Sequence, residues 1–172
     1  ELGDKRFSAL SRADIGSILL MCCNYIKAED YLNQATQIFK EINDLPNYAK
    51  YQLLLAELNS EIKNYNQSLE FLNNIEDILN EIDGDDSLKV EVKVGKTLIY
   101  YHQNGNLDQL ETKLNKIIKK NSLSKENEAN IHFELWKINQ HKKSQTKAIN
   151  LYSELYKNVP KFIFKSRLNK LE

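Results

Sequence analysis

Glycine and proline are scarce: five and two residues in a chain of 172, about 4 % against a usual ~12 % for the pair. Sandwiches, barrels and doubly wound sheets need a turn roughly every 8–15 residues, so that scarcity excludes them. Long hydrophobic runs are absent too. None approaches ~18 residues, so no segment is expected to span a membrane. Cysteine is limited to Cys22 and Cys23, adjacent in the apolar stretch Ile18-Leu19-Leu20-Met21-Cys22-Cys23. Neighbours on one helix point about 100° apart and do not bridge, which excludes a disulfide framework. One or both are expected to act as small buried hydrophobes in a cytoplasmic protein. No signal peptide is recognisable, and with Glu1 in place of Met the chain is expected to be a piece of a longer protein.

What fills the sequence is helix-tolerant: Leu, Glu, Lys, Gln and Ala. A hydrophobic share of 41 % supports a continuous core and excludes disorder. The net charge is zero, but residues 1–86 hold 16 acids and 7 bases and residues 87–172 hold 8 acids and 17 bases. The halves therefore carry −9 and +9, enough to steer association. Lys outnumbers Arg 21 to 3 and Asn reaches 20, a bias of AT-rich coding that carries no chemistry.

Glu1-Leu2-Gly3-Asp4, Glu41-Ile42-Asn43-Asp44 and Glu81-Ile82-Asp83-Gly84 recur every 40 residues, and the break Asn121-Ser122-Leu123-Ser124 falls on the same grid. Each block splits into two stretches of helical periodicity at Asn24-Tyr25, Asn64-Tyr65-Asn66, Asn104-Gly105-Asn106 and Lys142-Lys143-Ser144. The spacing predicts helices near 5–23, 25–42, 46–62, 65–82, 87–103, 107–120, 125–141, 145–158 and 161–171. Gly84 reads as a helix C-cap.

The blocks resemble tetratricopeptide repeats, which carry a large residue, Leu-Gly and Tyr on a first helix and Ala-x3-Phe on a second. The first reads Ile15-Gly16, Leu19, Tyr25, Ala28, Leu32, Ala35; the second Leu55-Ala56, Tyr65, Ser68, Leu72, Ile75. The third reads Leu98, Tyr101, Gly105, Leu107, Leu110, Leu114, Ile117; the fourth Leu135-Trp136, Ala148, Tyr152, Leu155 and Pro160. The period of 40 exceeds the family's 34, as in kinesin light chains and bacterial signalling proteins. The resemblance implies an all-α fold: a right-handed α-solenoid of four helical hairpins, about 5–43, 46–83, 87–121 and 125–160, forming one repeat domain over 1–172. A C-terminal helix over 161–172 caps it, with Phe164, Leu168 and Leu171 inward and Lys161, Lys165, Arg167 and Lys170 in water. Ala28, Leu32, Leu72, Leu114, Ala148 and Trp136 are expected in the core, and Leu110 in place of a small anchor implies a wider third crossing. The N-terminal face around Phe7, Leu10 and Ile18 has no such lid.

Signatures of chemistry fail on inspection. Val94-Gly95-Lys96-Thr97 ends like a phosphate-binding loop, but Val90 stands where its first glycine belongs. With Gly84 sixth in a calcium loop, Val90 again replaces the bidentate Glu. His102, His132 and His141 have no partner at metal spacing and read as surface or groove residues. No catalytic residue, cofactor or metal ligand is assigned, and the chain is not expected to be an enzyme. Tyr152, Tyr156, Lys147 and Lys157 come nearest to a base-stacking platform and fall short of one, so nucleic acid is not the expected partner.

In the family, first helices line a groove for a peptide or partner helix. Carried over, the lining is Ala13, Ser17, Leu20 and Met21; Leu53, Glu57, Ser60 and Glu61; Gly95, Ile99, His102 and Gln103; Phe133, Lys137, Gln140 and His141. Chaperone-binding members place Lys and Asn where this chain has Ala13 and Ser17, so a carboxylate clamp is absent. The resemblance implies a protein-interaction scaffold, the repeat segment of a larger bacterial signalling or regulatory protein attached to a nucleotide cyclase or sensor kinase. The alternative is a peptide- or ligand-sensing module whose curvature changes on binding. Opposite half-charges and the open N-terminal face also predict weak head-to-tail self-association.

Overall fold

The computed structural model describes residues 2–82, 86–119 and 123–172. Among them lie nine helices and no strand: α1 (Leu2–Met21), α2 (Tyr25–Glu41), α3 (Leu45–Glu61), α4 (Tyr65–Glu81), α5 (Asp86–Asn104), α6 (Leu107–Ile118), α7 (Lys125–Asn139), α8 (Lys142–Asn158) and α9 (Phe162–Leu171). The expected helices are all present, with ends moved by at most three residues. Gly84 and residues 121–122 of the 121–124 break lie outside the described residues. The chain packs as two compact units, residues 1–99 and 100–172.

In the first unit the turns after α1, α2 and α3 follow one plan. Cys23, Asn43 and Lys63 take the left-handed conformation, with φ of 58°, 56° and 63°. The next amide in each closes back on the helix, Asn24 to the Leu19 carbonyl, Asp44 to that of Phe39 and Asn64 to that of Asn59, at 2.7–2.9 Å. These six-to-one bonds satisfy carbonyls that the helix end leaves unpaired. The residue that closes one helix also starts the next, so three residues make the whole turn. Asp44 caps α3 by accepting from the Asn47 amide and binds Arg6 of α1 at 2.8 Å. Partial burial opposes its charge, but hydrogen bonds from Asn47 and Arg6 outweigh that and hold the carboxyl below the ordinary carboxylate range.

This turn plan corrects one expectation. Cys22 and Cys23 are exposed thiols, because α1 ends at Met21 and both residues belong to the turn. The hairpins meet where side chains are small. A Cβ on Gly16 would stand 2.7 Å from Leu32 Cγ and 3.3 Å from the Ala28 carbonyl. In the second hairpin Ala56 is buried and its carbonyl accepts from Ser68 Oγ at 2.7 Å. Phe39 of α2 stacks on Tyr51 of α3, ring centres 5.4 Å apart, joining one hairpin to the next. Leu72 of α4 packs close to Gly95 of α5, and Lys96 pairs with Glu76 at 2.6 Å.

The second unit has an aromatic core. Phe133 of α7, Tyr152 of α8 and Phe164 of α9 are buried together with Ala129, Ala148 and Leu171. The Tyr152 hydroxyl donates to Asn130 Oδ1 at 2.6 Å, and burial pushes its pKa up. Gln145 Nε2 donates to the Leu171 carbonyl at 2.6 Å and ties α9 onto α8. Trp136 is half-buried and not in the core as expected; it packs at the edge, its ring 5.9 Å from that of Phe133. Arg167 does not face water either. Its guanidinium lies 4.4 Å from the centre of the Phe133 ring and 3.4 Å from Glu134 Oε1. A weakly hydrated planar cation suits such stacking better than the strongly hydrated Lys ammonium.

Candidate functional site

The first helices of the hairpins carry the expected groove positions. Ser17, Leu20 and Met21 are half-buried near the end of α1; Glu57 is exposed and Ser60 half-buried at the equivalent places of α3. Spacing by 40 pairs Ser17 with Glu57 and Leu20 with Ser60, and α1 touches α3 directly. The first unit therefore brings these five side chains onto neighbouring helices. In the second unit His102, Lys137, Gln140 and His141 are exposed. Lys137 pairs with Glu134 at 3.0 Å, and His141 Nδ1 lies 3.8 Å from Glu111 Oε1. Gln140 holds the left-handed turn between α7 and α8, at φ 54°.

Four groove positions need correction. Ala13, Leu53, Ile99 and Phe133 are 0 %, 7 %, 1 % and 3 % exposed, so their side chains belong to the cores. Leu53 and Phe133 sit one position past the buried Gln52 and His132, on the edge of the stripe that faces the second helix. Ile99 has a different cause. Counting back from Leu110 moves the third block two residues off the 40-residue grid, whereas the α5 core stays on it. Val92 is buried on that grid with Gln52 and His132, and Ile99 corresponds to the buried Asn59. α5 runs to Asn104, and its extra residues shift α6 without shifting the α5 core. On the grid, Tyr100 takes the place of Leu20 and Ser60. It is 42 % exposed, with Lys113 Nζ 4.3 Å from its ring centre.

The grid also exposes a polar position inside the hairpins. Arg12, Gln52 and His132 stand 40 and 80 residues apart and all point inward. Arg12 Nη1 reaches Gln34 Oε1 at 3.4 Å, and Gln52 bonds both Tyr48 and Asn74. His132, expected at a surface or groove, is 5 % exposed, and neither ring nitrogen has a hydrogen-bond partner. Burial lowers its pKa, Lys147 and Lys143 add to the effect, and Glu128 opposes it.

The N-terminal face is open. Phe7 is 72 % and Ile18 55 % exposed, while Leu10 is half-buried. Leu55 and Leu58, the α3 counterparts of Ile15 and Ile18, are each 1 % exposed. No group of three or more metal-binding side chains occurs among the described residues, nor a helix long and apolar enough to cross a membrane.

A family model described as tetratricopeptide repeat matches residues 6–81. No curated protein and no solved structure matches the chain. Such repeats generally serve as protein-interaction scaffolds and are typically non-catalytic. The match spans the two hairpins whose crossings are Gly16 with Ala28 and Ala56 with Ser68, and over that stretch the chain is similar to tetratricopeptide repeats.

Proposed function

We propose that the chain is a protein-interaction module that holds a peptide or partner helix against its first helices. The observation that carries this reading is the register of α1 and α3. Ser17, Leu20 and Met21 of α1 and Glu57 and Ser60 of α3 fall on one 40-residue register in helices that touch, and each is half-buried or exposed, a mixed apolar and acidic set. Such a strip suits a segment that alternates apolar and basic residues. Lys137, Gln140 and His141, with Tyr100 added to His102, extend the reading to the second unit. The motifs Glu1-Leu2-Gly3-Asp4-Lys5-Arg6 and Leu151 to Pro160 support a setting in a bacterial signalling protein attached to a nucleotide cyclase or sensor kinase.

Photo-crosslinking tests this reading. A benzoylphenylalanine placed at Leu20 or at Ser60 should capture the same partner segment, and Glu57→Lys should abolish both products. Capture only from the second helices, or capture indifferent to Glu57→Lys, would contradict it. The exposed Phe7 and Ile18 support weak association between copies as well. Sedimentation should show it at low salt and lose it in 1 M salt if the opposite half-charges drive it, since the screening length falls to ~3 Å there.

A further inference from the structure

A cleft of about 480 Å³ lies between α2 and α4 and is floored by α3. It uses a different face of α3 from the strip described above. Tyr48, Gln52 and Leu55 each precede Leu53, Glu57 and Ser60 by five residues, about 140° around the helix. On α2 the wall carries Asn33, Gln37 and Lys40 at i, i+4 and i+7, and Phe71 of α4 faces them. Lys40 is the one charged residue of the lining, is exposed, and has no ion pair among the described residues. No carboxylate lines the cleft.

The floor has a direction. Asn74 Nδ2 donates to Gln52 Oε1, and Gln52 Nε2 donates to the Tyr48 hydroxyl oxygen at 2.7 Å. Gln52 is 6 % exposed, so this carboxamide is fixed by its two bonds. The phenol oxygen is the acceptor that ends the chain, which leaves the Tyr48 O–H to donate into the cleft. A donor phenol and an exposed ammonium beside the half-buried Phe71 call for a charged acceptor flanked by an aliphatic group. Gln37 Nε2 donates to Glu41 Oε1 at 2.9 Å, and the Asn33 carboxamide offers both donors and an acceptor, as a peptide group does.

We propose that this cleft binds an internal acidic peptide segment. An Asp or Glu side chain accepts from Lys40 Nζ and Tyr48 Oη, the neighbouring aliphatic side chain rests on Phe71, and the backbone runs along Asn33. The site is separate from the first-helix strip and opposite to it in ligand charge.

The test is a titration of the ¹⁵N-labelled full chain with the blocked peptide acetyl-Ala-Leu-Glu-Leu-Ala-amide, followed by amide shifts. Saturable shifts are expected in the Gln52 side-chain amide and along residues 33–40. Replacing the peptide's Glu by Gln should weaken binding about tenfold, and so should Lys40→Ala and Tyr48→Phe. Lys40 is exposed, so Lys40→Ala should melt close to the parent, whereas Tyr48→Phe leaves Gln52 Nε2 without its acceptor and should melt lower; the Lys40→Ala titration is therefore the deciding one. Glu57→Lys should leave this binding unchanged, which separates the cleft from the strip. The proposal is overturned by an absence of saturable shifts at millimolar peptide. It is equally overturned by equal affinity for the Glu and Gln peptides, by indifference to both variants, or by binding only of a peptide with a free terminal carboxylate.

Discussion

The α1/α2 and α3/α4 hairpins and the α7/α8 hairpin solve one packing problem with different side chains. In the first two, residues twelve apart meet: Gly16 lies against Ala28, and Ser68 Oγ donates to the Ala56 carbonyl. In the third the same spacing falls on Trp136 and Ala148; Ala148 is buried, and the half-buried indole packs at the edge of the core beside Phe133. Four residues beyond each anchor the difference recurs: Leu32 and Leu72 are buried in the first unit, and Tyr152 in the second. The register is shared and the filling is not. A family is matched by residue type at each position, so the match covers residues 6–81 and stops short of the aromatic hairpin.

The largest expected effects come from emptying the two fillings. Leu72→Ala should cost about 2–5 kcal/mol and Tyr152→Ala about 3–5 kcal/mol in urea denaturation. The tyrosine variant loses ring contacts with Phe133 and Phe164 and also strands Asn130. Equal, small losses would mean that neither residue is the keystone of its hairpin.

A smaller effect separates the units by pH. His132 has its pKa lowered in the folded state, so the unfolded chain takes up the proton more readily. Its contribution to stability is intact above the ordinary histidine value of about 6.5 and is lost as pH falls through it. The denaturation midpoint should therefore drop between pH 7.5 and 5.5, and drop less in His132→Leu. Identical pH profiles for parent and variant would remove His132 from the account. The smallest effect concerns the turns. Cys23→Gly and Lys63→Gly should stabilise by up to about 1 kcal/mol, because glycine takes the left-handed conformation without steric cost. A loss of stability in either would show that the side chain itself contributes.

Much of the fold was legible because the 40-residue grid and the apolar periodicity point the same way. Ala28, Leu32, Leu72, Leu114 and Ala148 are buried as their places in the repeat predict. The turns were harder to read. A helix that ends in a left-handed glycine announces itself, whereas Cys23, Asn43 and Lys63 take that conformation without a sequence signal, so Cys22 and Cys23 read as buried helix. Among the expected groove positions Glu57 and Lys137 are exposed, but Leu53 and Phe133 lie one residue from a buried stripe, and a single residue turns a side chain by about 100°. Ile99 was misread because the longer α5 takes up two residues that the anchor spacing assigned to the whole block. The polar series Arg12, Gln52 and His132 was visible as a spacing of 40, yet only the packed structure shows that it faces inward.

The grid, and not the local sequence, decides which positions close a hairpin. Gly16→Trp places in the first hairpin the residue that the fourth block carries at the same grid position, and equilibrium urea denaturation measures the consequence. The claim predicts a loss of about 1–3 kcal/mol or more, since Leu32 and the Ala28 carbonyl leave no room. A variant that unfolds at the same urea concentration as the parent would contradict it.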